Sequence, residues 1–160
     1  MMKKVLFLSN TANFSKFNLP YMRWFHEQGW QVDYCSAGEE NIKECDNQYS
    51  ICIARSPFSP RNIKAYRQLK QLLVRNNYDI LHCHTPMGGV LGRLAARQLW
   101  RKHKIKVMYT AHGFHFFNGA PILNWVLYYP VEKWLSRYTD VIVTMNNEDY
   151  ERAKSSFGII

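Results

Sequence analysis

Two short stretches of this 160-residue sequence carry histidines at spacings that could support chemistry. The first, DILHCHTPMGG, places His82 and His84 two residues apart at the end of an apolar run. The second, YTAHGFHFFNG, places His112 and His115 three residues apart. Imidazole titrates near neutral pH and is a common metal ligand, so the pattern is compatible with a metal site or with an acid–base site.

A metal site at these histidines would indicate a metal-dependent hydrolase. His82 and His84 share one face of the predicted strand, because alternate strand residues point the same way, and His112 and His115 could add further ligands. Tetrahedral sites need three or four converging ligands, yet Asp79 opens the strand and falls at its opposite end. The pattern therefore favours no metal, and His82 is interpreted as a packed histidine bonded to backbone.

Length and composition predict one soluble globular domain over residues 1–160. A chain of this size can bury roughly two thirds of its unfolded surface without metals or disulfides. No apolar run approaches the ~18 residues of a membrane span, and the run in MMKKVLFLSN is too short for a signal peptide. The four cysteines form no CxxC motif, which favours reduced thiols and the cytoplasm.

The net charge of +9 arises from one part of the chain. Residues 61–106 carry eleven Lys or Arg and one acid, whereas the rest carries ten Lys or Arg and eleven acids. Such a basic surface attracts nucleic acid, anionic lipid or phosphorylated small molecules. A nucleic-acid-binding module is therefore an alternative, although the aromatic residues do not alternate with the basic helices as in a stacking platform.

Short β-rich runs alternate with helical stretches, which predicts an α/β fold with a mainly parallel, doubly wound sheet and helices on both faces. The predicted strands are residues 3–8, 31–36, 50–54, 79–84, 106–111 and 140–145. The predicted helices are residues 17–28, 61–76, 88–102 and 122–138, the last interrupted at Pro130, with a further helix from about Asn147.

In a sheet of this kind, ligands bind outside the carboxyl ends of the strands, where strand order reverses. His84 closes the fourth predicted strand and His112 follows the fifth, so both are expected at one rim beside the loop 10–15. No GxGxxG follows the first strand, which argues against a nicotinamide or flavin dinucleotide. Gly88 and Gly89 either open a helix N-terminus to a ligand or form a tight turn.

Helical spacing separates buried faces from exposed ones in the basic and aromatic segments. Burial is predicted for Ile63, Tyr66, Leu69 and Leu73, and for Val131, Leu135 and Tyr138. Two basic helices beside an aromatic segment favour an anionic membrane surface, where each cation contributes ~1 kcal/mol. The residues predicted to face this membrane are Arg61, Lys64, Arg67, Lys70, Arg101, Lys102, Trp125, Tyr128 and Tyr129.

Four blocks of the sequence carry a family resemblance. They are NLPYMRWFHEQGWQVDYCSAG, RSPFSPRNIKAYRQLKQLL, NYDILHCHTPMGGVLGRLAAR and YTAHGFHFFNGAPILNWVLYYPVEKWLSRYTDVIVTMNNEDYERAK. Together they resemble the amino-terminal half of retaining glycosyltransferases of family 4, in the branch for bacterial capsule and exopolysaccharide synthesis. The resemblance covers about residues 4–154. It implies one half of a GT-B fold, in which two Rossmann-like domains face each other across a cleft, without a metal or other cofactor.

The resemblance also implies roles for individual residues. His112, in TAHGF, matches the family's cleft histidine and is expected to be catalytic. The residues expected to bind the acceptor are His84, Thr85, Gly88, Gly89, His115 and Phe116. The loop NTANFSKF matches a loop that often carries a glycine pair near the donor phosphates. Here that pair is missing, and Asn13 and Phe14 stand in the loop instead.

For the whole protein, the resemblance implies sugar transfer from a nucleotide-diphosphate donor to a lipid-linked acceptor at the inner face of the cell membrane. The acceptor would bind this amino-terminal domain, and the nucleotide-sugar would bind a carboxyl-terminal domain. The paired-glutamate motif of that domain, ExxxxxxxE, is not found in the sequence, so the 160-residue chain alone is expected to be inactive. Nucleic acid is not expected as a partner.

Overall fold

The computed structural model describes residues 2–38 and 40–157. Strands and helices alternate along the chain, with a short 3-10 turn over Ala12–Phe14 after the first strand. The elements are β1 (Lys4–Leu8), α1 (Ser15–Glu27), β2 (Gln31–Ser36), β3 (Asn47–Ser50), α2 (Arg61–Asn76), β4 (Ile80–His84), α3 (Pro86–Arg101), β5 (Lys106–Ala111), α4 (Ile122–Ser136), β6 (Val141–Thr144) and α5 (Asn147–Phe157).

The strands form one six-stranded sheet in the order β3-β2-β1-β4-β5-β6, and every pairing is parallel. The chain moves outward from β1 to β3, then returns through α2 to place β4 on the other side of β1. The strand order therefore reverses between β1 and β4, where sheets of this type bind ligands. The predicted doubly wound, Rossmann-like α/β fold is confirmed.

Alternate residues of the central strands supply two separate hydrophobic cores. On β1, Leu6 and Leu8 join a large core with the inner faces of α2 and α3, whereas Val5 and Phe7 join a smaller core under α1. All four side chains are fully buried. Strands covered on both faces are typical of parallel sheets, and the covering helices leave the strand ends free for a site.

The third strand lies earlier than the sequence pattern indicated. β3 covers Asn47–Ser50, so the predicted strand over residues 50–54 is wrong. Ile51 and Ile53 are buried as a strand pattern requires, but they lie in a loop packed against α2. Side chains of α2 accept the hydrogen bonds that a neighbouring strand would take, from Cys52 N to Gln68 Oε1 (3.3 Å) and from Ala54 N to Asn62 Oδ1 (2.8 Å).

Two helices start before the predicted residue, and one continues through an expected break. α1 begins at Ser15 rather than at residue 17, and α3 begins at Pro86 rather than at Gly88. Pro130 lies inside α4, which is continuous from Ile122 to Ser136, so the predicted interruption is wrong. Pro130 and Val126 are both exposed, so solvent is available to the carbonyl group that loses its helical partner.

The predicted buried faces hold only in part. Leu69, Leu73, Leu135 and Tyr138 are buried, Tyr66 is half-buried, and Ile63 and Val131 are 59% and 41% exposed. On α2 the buried position beside Ile63 belongs to Asn62, whose amide also donates to Ser56 O at 2.8 Å. A hydrogen-bonded asparagine therefore replaces the expected isoleucine, which leaves an apolar side chain on the surface.

Candidate active site

An open cleft of about 1440 Å³ lies at the carboxyl ends of the central strands. Its walls come from the loops after β1 and β5, the start of α2, the start of α3, and one side of α4. Each wall contributes at least one residue to the lining; in the order just given, examples are Phe14, His112, Ile63, Met87 and Val131. The cleft therefore occupies the position that the reversal of strand order predicts.

His112 lies on the wall of this cleft and is exposed to it. The ring of Phe14 meets the imidazole edge to face at a centroid distance of 4.6 Å, and the ring of Phe17 lies at 6.2 Å. The Nε2 atom is 3.3 Å from Nδ1 of His84. Partial burial lowers the pKa of His112, so the imidazole is neutral at pH 7. It can then orient a hydroxyl group without a full charge.

His84 is placed behind His112 rather than on the cleft wall. Its side chain is 1% exposed, does not line the cleft, and stacks on the ring of Phe7 at 6.2 Å. Burial, together with the charges of His82 and His112, lowers the pKa of His84 to about 2. An acceptor in the cleft would therefore contact His112 and reach His84 only through it.

His82 lies one pleat deeper in β4. Its Nε2 atom is 2.9 Å from Oγ1 of Thr110 on β5, so the expected bond to backbone is corrected to a bond with a side chain. Burial and the charge of His112 lower the pKa of His82 to about 4. The Nδ1 atom of His82 and the Nε2 atom of His84 are both buried without a hydrogen-bond partner.

Thr85 joins two walls of the cleft, which it also lines. Its backbone is left-handed, with φ at 64°, a conformation that non-glycine residues rarely adopt and that clusters at functional sites. The Oγ1 atom accepts hydrogen bonds from Asn10 N (3.2 Å) and from Gly88 N (3.4 Å). Thr85 therefore caps α3 and ties the loop after β1 to the start of that helix.

Gly88 and Gly89 face the sheet and do not line the cleft. A Cβ atom on Gly89 would overlap the ring of Tyr109, and one on Gly88 would lie 3.3 Å from the Cα atom of Ser9. Of the two interpretations open from sequence, the geometry favours close packing of α3 over an open approach for a ligand.

The loop after β5 is held by the first turn of α5, a feature that sequence reasoning missed. Asp149, which is 2% exposed, accepts from Phe114 N at 3.1 Å, and Glu148 accepts from Asn118 N at 2.7 Å. Two acids at the start of a predicted helix were the available signal, because acids favour that position. This anchorage fixes the loop that carries His112.

The other predicted site residues lie at different depths. His115 is exposed on the cleft and tilts against the ring of Tyr128 at 4.6 Å, whereas Phe116 is fully buried beneath it. Asn13 and Phe14 both line the cleft, so the loop after β1 reaches the site as predicted. Their assignment to donor phosphates stays a prediction.

A buried ion pair supports the cleft wall and was not predicted. Arg93 on α3 is fully buried, and its Nη2 atom lies 2.8 Å from Oε2 of Glu132 on α4. The guanidinium group lies 4.1 Å from the centre of the Tyr109 ring, and Arg93 Nε donates to Gly89 O at 2.8 Å. No local spacing in the sequence indicates a pair between residues so far apart along the chain.

The basic and aromatic residues predicted to face a membrane differ in exposure. Arg61, Lys64, Arg67, Arg101 and Lys102 are exposed, whereas Lys70, Trp125, Tyr128 and Tyr129 are half-buried. The three aromatic side chains pack against the large core. The exposed apolar residues of α4 are instead Ile122, Leu123, Val126, Leu127, Val131 and Trp134, which we call the α4 apolar face.

Residues 2–38 and 40–157 are the part of the chain that the structure describes. In that part of the chain, no group of three or more His, Cys, Asp or Glu side chains is arranged to hold a metal ion. None of the helices described there combines the length and the apolar character that crossing a membrane requires.

Comparison with known proteins gives three sequence relatives. The chain is 56% identical over 155 residues to EpsD of Bacillus subtilis (strain 168), which carries a provisional glycosyltransferase name; the match covers 96% of this chain and 40% of EpsD. It is 29% identical over 117 residues to an uncharacterised 41.2 kDa protein of the Klebsiella pneumoniae cps region, covering 69% of this chain and 33% of that protein. It is 32% identical over 91 residues to an Escherichia coli galactosyltransferase, covering 57% of this chain and 23% of the enzyme.

Solved structures match the fold. MurG of Acinetobacter baumannii superposes with a TM-score of 0.57 at 19% identity, over 91% of this chain and 41% of MurG. A UDP-N-acetylglucosamine 2-epimerase superposes with a TM-score of 0.68 at 15% identity, over 98% of this chain and 44% of the epimerase. The family model described as "Glycosyl transferase 4-like" matches residues 4–146. The chain belongs to the glycosyl transferase 4-like family.

Proposed function

We propose that this chain is the acceptor-binding half of a retaining glycosyltransferase of bacterial surface polysaccharide synthesis. One observation carries the proposal: the open cleft at the strand ends, with His112 on its wall. The chain spans about 40% of the length of its Bacillus subtilis relative. A nucleotide-sugar donor would bind the remaining part of such a protein.

The lining of the cleft suits an amphiphilic acceptor. Apolar side chains such as Met87, Leu91 and Leu94 line much of it, and the exposed guanidinium group of Arg55 lies in the same lining. Arginine pairs well with phosphate groups because its fork of donors matches their geometry. A saccharide joined through phosphate to a lipid combines the polar and apolar groups that this lining would contact.

The Escherichia coli relative supports this class of substrate. Its name describes a UDP-galactose donor and a GlcNAc-diphosphoundecaprenol acceptor. That name, together with the phosphate-compatible lining here, supports a lipid-linked saccharide as the acceptor class. The donor is a substrate, so no separate cofactor is proposed.

His112 is proposed to orient the reacting groups. A neutral imidazole can exchange one hydrogen bond with an acceptor hydroxyl or with the transferred sugar. We expect positioning and stabilisation of transition-state charge, without a covalent intermediate on this chain. The partner that neutralises the departing diphosphate would belong to the donor-binding part.

The test uses a chimera in which this chain replaces the matching part of Bacillus subtilis EpsD. With a lipid-linked saccharide acceptor and radiolabelled nucleotide-sugars, His112→Ala should lower turnover by about 100-fold, because one polar transition-state contact is lost. His103→Ala, at an exposed residue after α3, is the matched control and should keep full turnover. Near-normal turnover in a folded His112→Ala chimera would refute the proposal. The 160-residue chain alone should transfer no sugar.

The chain is also proposed to act at the cytoplasmic face of the cell membrane. The basic residues of α2 and the α4 apolar face lie on helices that flank the same cleft. An apolar helix face on one side of the cleft and a basic helix on another suit a membrane with anionic headgroups, and they would bring a lipid-linked acceptor to the cleft.

Co-sedimentation with vesicles tests this location. Binding should require anionic lipid and weaken at 1 M salt, where the Debye length falls to ~3 Å. Val126→Asp and Lys64→Glu should each reduce binding several-fold, whereas Lys43→Glu, outside the 61–106 region, should not. Binding to duplex DNA or RNA without binding to anionic vesicles would contradict the membrane proposal and favour a nucleic-acid-binding module.

A further inference from the structure

We propose that His84 is a positioning residue that fixes the tautomer of His112. In this arrangement His84 Nδ1–H donates to His112 Nε2, and His112 presents Nδ1–H to the cleft. The catalytic meaning of this arrangement rests on the role proposed above for His112, whereas the tautomer itself can be measured without any turnover.

The first step is the contact between the two rings. Nδ1 of His84 and Nε2 of His112 are 3.3 Å apart, and each neutral imidazole carries a single N–H group. One proton must therefore lie between these two nitrogens for a hydrogen bond to form. Whichever ring supplies that proton, the remaining nitrogen of His112 is left for the cleft that the residue lines.

The second step is that both rings are neutral. The titratable groups that face His112 from β4 are His84 and His82, while α1 and the loop after β1 contribute the apolar rings of Phe17 and Phe14. No carboxylate balances a charge among the described partners of these rings. Because the three imidazole rings lie close together, a proton on one of them disfavours protonation of the others.

The third step decides the direction of the bond. Nε2 of His84 is buried and has no partner. If Nδ1 of His84 accepted the bond, its proton would sit on Nε2 as a buried donor without an acceptor. If Nδ1 donates, Nε2 keeps only a lone pair. Orphaned buried N–H groups are rarer in proteins than under-satisfied acceptors, so donation by His84 is the favoured arrangement.

The consequence concerns what His112 can do. With Nε2 accepting from His84, the proton of His112 lies on Nδ1, so the ring meets a ligand as a hydrogen-bond donor. A donor of this kind stabilises an oxygen that gains negative charge during transfer. His84 would thus select between the two hydrogen-bonding characters of His112 without touching the substrate.

Nuclear magnetic resonance on the 160-residue chain with ¹⁵N-labelled histidine tests the tautomer. In the unchanged chain, His112 should show a protonated Nδ1 and an unprotonated Nε2 at pH 7. His84→Phe keeps an aromatic ring but removes the donor, so His112 should change to a mixture of tautomers. His84→Asn places an amide donor near the former Nδ1, so the His112 pattern should be retained. A protonated Nε2 on His112 in the unchanged chain would overturn the proposal, as would an unchanged pattern in a folded His84→Phe variant.

Kinetics on the EpsD chimera add a second readout. His84→Phe should lower kcat by about tenfold with little change in KM, and His84→Asn should restore most of it. A hydrogen bond donated to neutral His112 opposes its protonation, so His84→Phe should move the acid limb of the kcat profile to higher pH. Normal turnover in His112→Ala, with the expected spectrum, would refute the proposed function and leave the tautomer assignment standing. The opposite spectrum, with an inactive His112→Ala, would refute the tautomer assignment alone.

Discussion

The sheet holds a buried polar cluster near each of its ends, and the two clusters differ in how completely they are hydrogen-bonded. Near the amino end, the carboxylate of Asp33 accepts from Tyr78 Oη at 2.6 Å, from Asn47 Nδ2 at 2.9 Å and from Gln31 Nε2 at 3.0 Å. At the carboxyl end, His82 and His84 each leave one buried ring nitrogen without a partner.

The comparison separates two kinds of polar cluster. The cluster around Asp33 stabilises the fold through its hydrogen bonds, whereas the cluster of His82 and His84 keeps unused hydrogen-bonding atoms. The fully bonded carboxylate of Asp33 joins β2 to β3 and to Tyr78, two residues before β4, and burial with the nearby carboxylate raises the pKa of Tyr78. The histidines instead remain neutral beside an open cleft. Incomplete bonding is therefore found in the cluster behind the cleft wall, and full bonding in the cluster at the opposite end of the sheet.

The largest effect on stability is expected at the amino end. Asp33→Ala removes the acceptor of one buried donor, Tyr78 Oη, and of two less buried ones on Gln31 and Asn47, so the free energy of unfolding should fall by about 3 kcal/mol. Urea denaturation measures this loss, and Glu27→Ala, at an exposed residue of α1, is the control. In the EpsD chimera, folded Asp33→Ala should keep its turnover. A loss below ~1 kcal/mol would remove the distinction between the two ends.

An effect of similar size is expected at the carboxyl end when the pH falls. His82 and His84 have pKa values of about 4 and 2 in the folded chain, below the unfolded value near 6.5. Between these limits the unfolded chain binds more protons, so acid favours unfolding. From pH 7 to pH 5 the free energy of unfolding should fall by on the order of 3 kcal/mol through these two residues.

Variants assign this acid sensitivity to the histidine cluster. His82→Gln keeps an amide near the former Nε2 but cannot titrate, so roughly half of the pH dependence should disappear. His103→Gln changes an exposed histidine and should leave the dependence as it is. If the unchanged chain, His82→Gln and His103→Gln lost the same free energy of unfolding on acidification, the buried histidines would not be the cause of the pH dependence.

The smallest effect is expected at the start of α3. Gly89→Ala places a methyl group against the ring of Tyr109, which should cost about 1–3 kcal/mol of stability. Gln98→Ala, at an exposed position of the same helix, is the control for changed helix propensity. If Gly89→Ala weakened acceptor binding and left stability unchanged, Gly89 would belong to the site and not to the packing of α3.

Periodicity predicted the fold because the apolar runs of β1 and β4 must be covered on both faces. It failed at residues 50–54, where the same alternation occurs in a loop whose backbone groups are bonded by Asn62 and Gln68. A side chain that supplies a hydrogen bond from a distant element leaves no local pattern. The limits of the strands were therefore less predictable than their number and order.

The candidate site was predictable in position and less so in depth. Strand ends placed His84 and His112 at one rim, and they lie 3.3 Å apart there. The sequence could not show that His84 lies behind His112. Alternation along a strand predicts the sheet face on which a side chain lies, but not which other residues cover that side chain. The pair of Arg93 and Glu132 was hidden for a similar reason, since it joins residues from two helices separated by β5 in the chain.

The Arg93–Glu132 pair has a consequence for how the cleft wall can open. If α4 lifted away, the guanidinium group would remain beneath α3 without its counter-charge, a state that costs about 3–5 kcal/mol for buried pairs. Intermediate positions of α4 are therefore poorly populated. The helix has two states, one packed with the ion pair formed and one displaced with the ion pair broken. Hydrogen exchange of the α4 amides should then follow a single cooperative opening, without fraying that begins at the edge of the cleft.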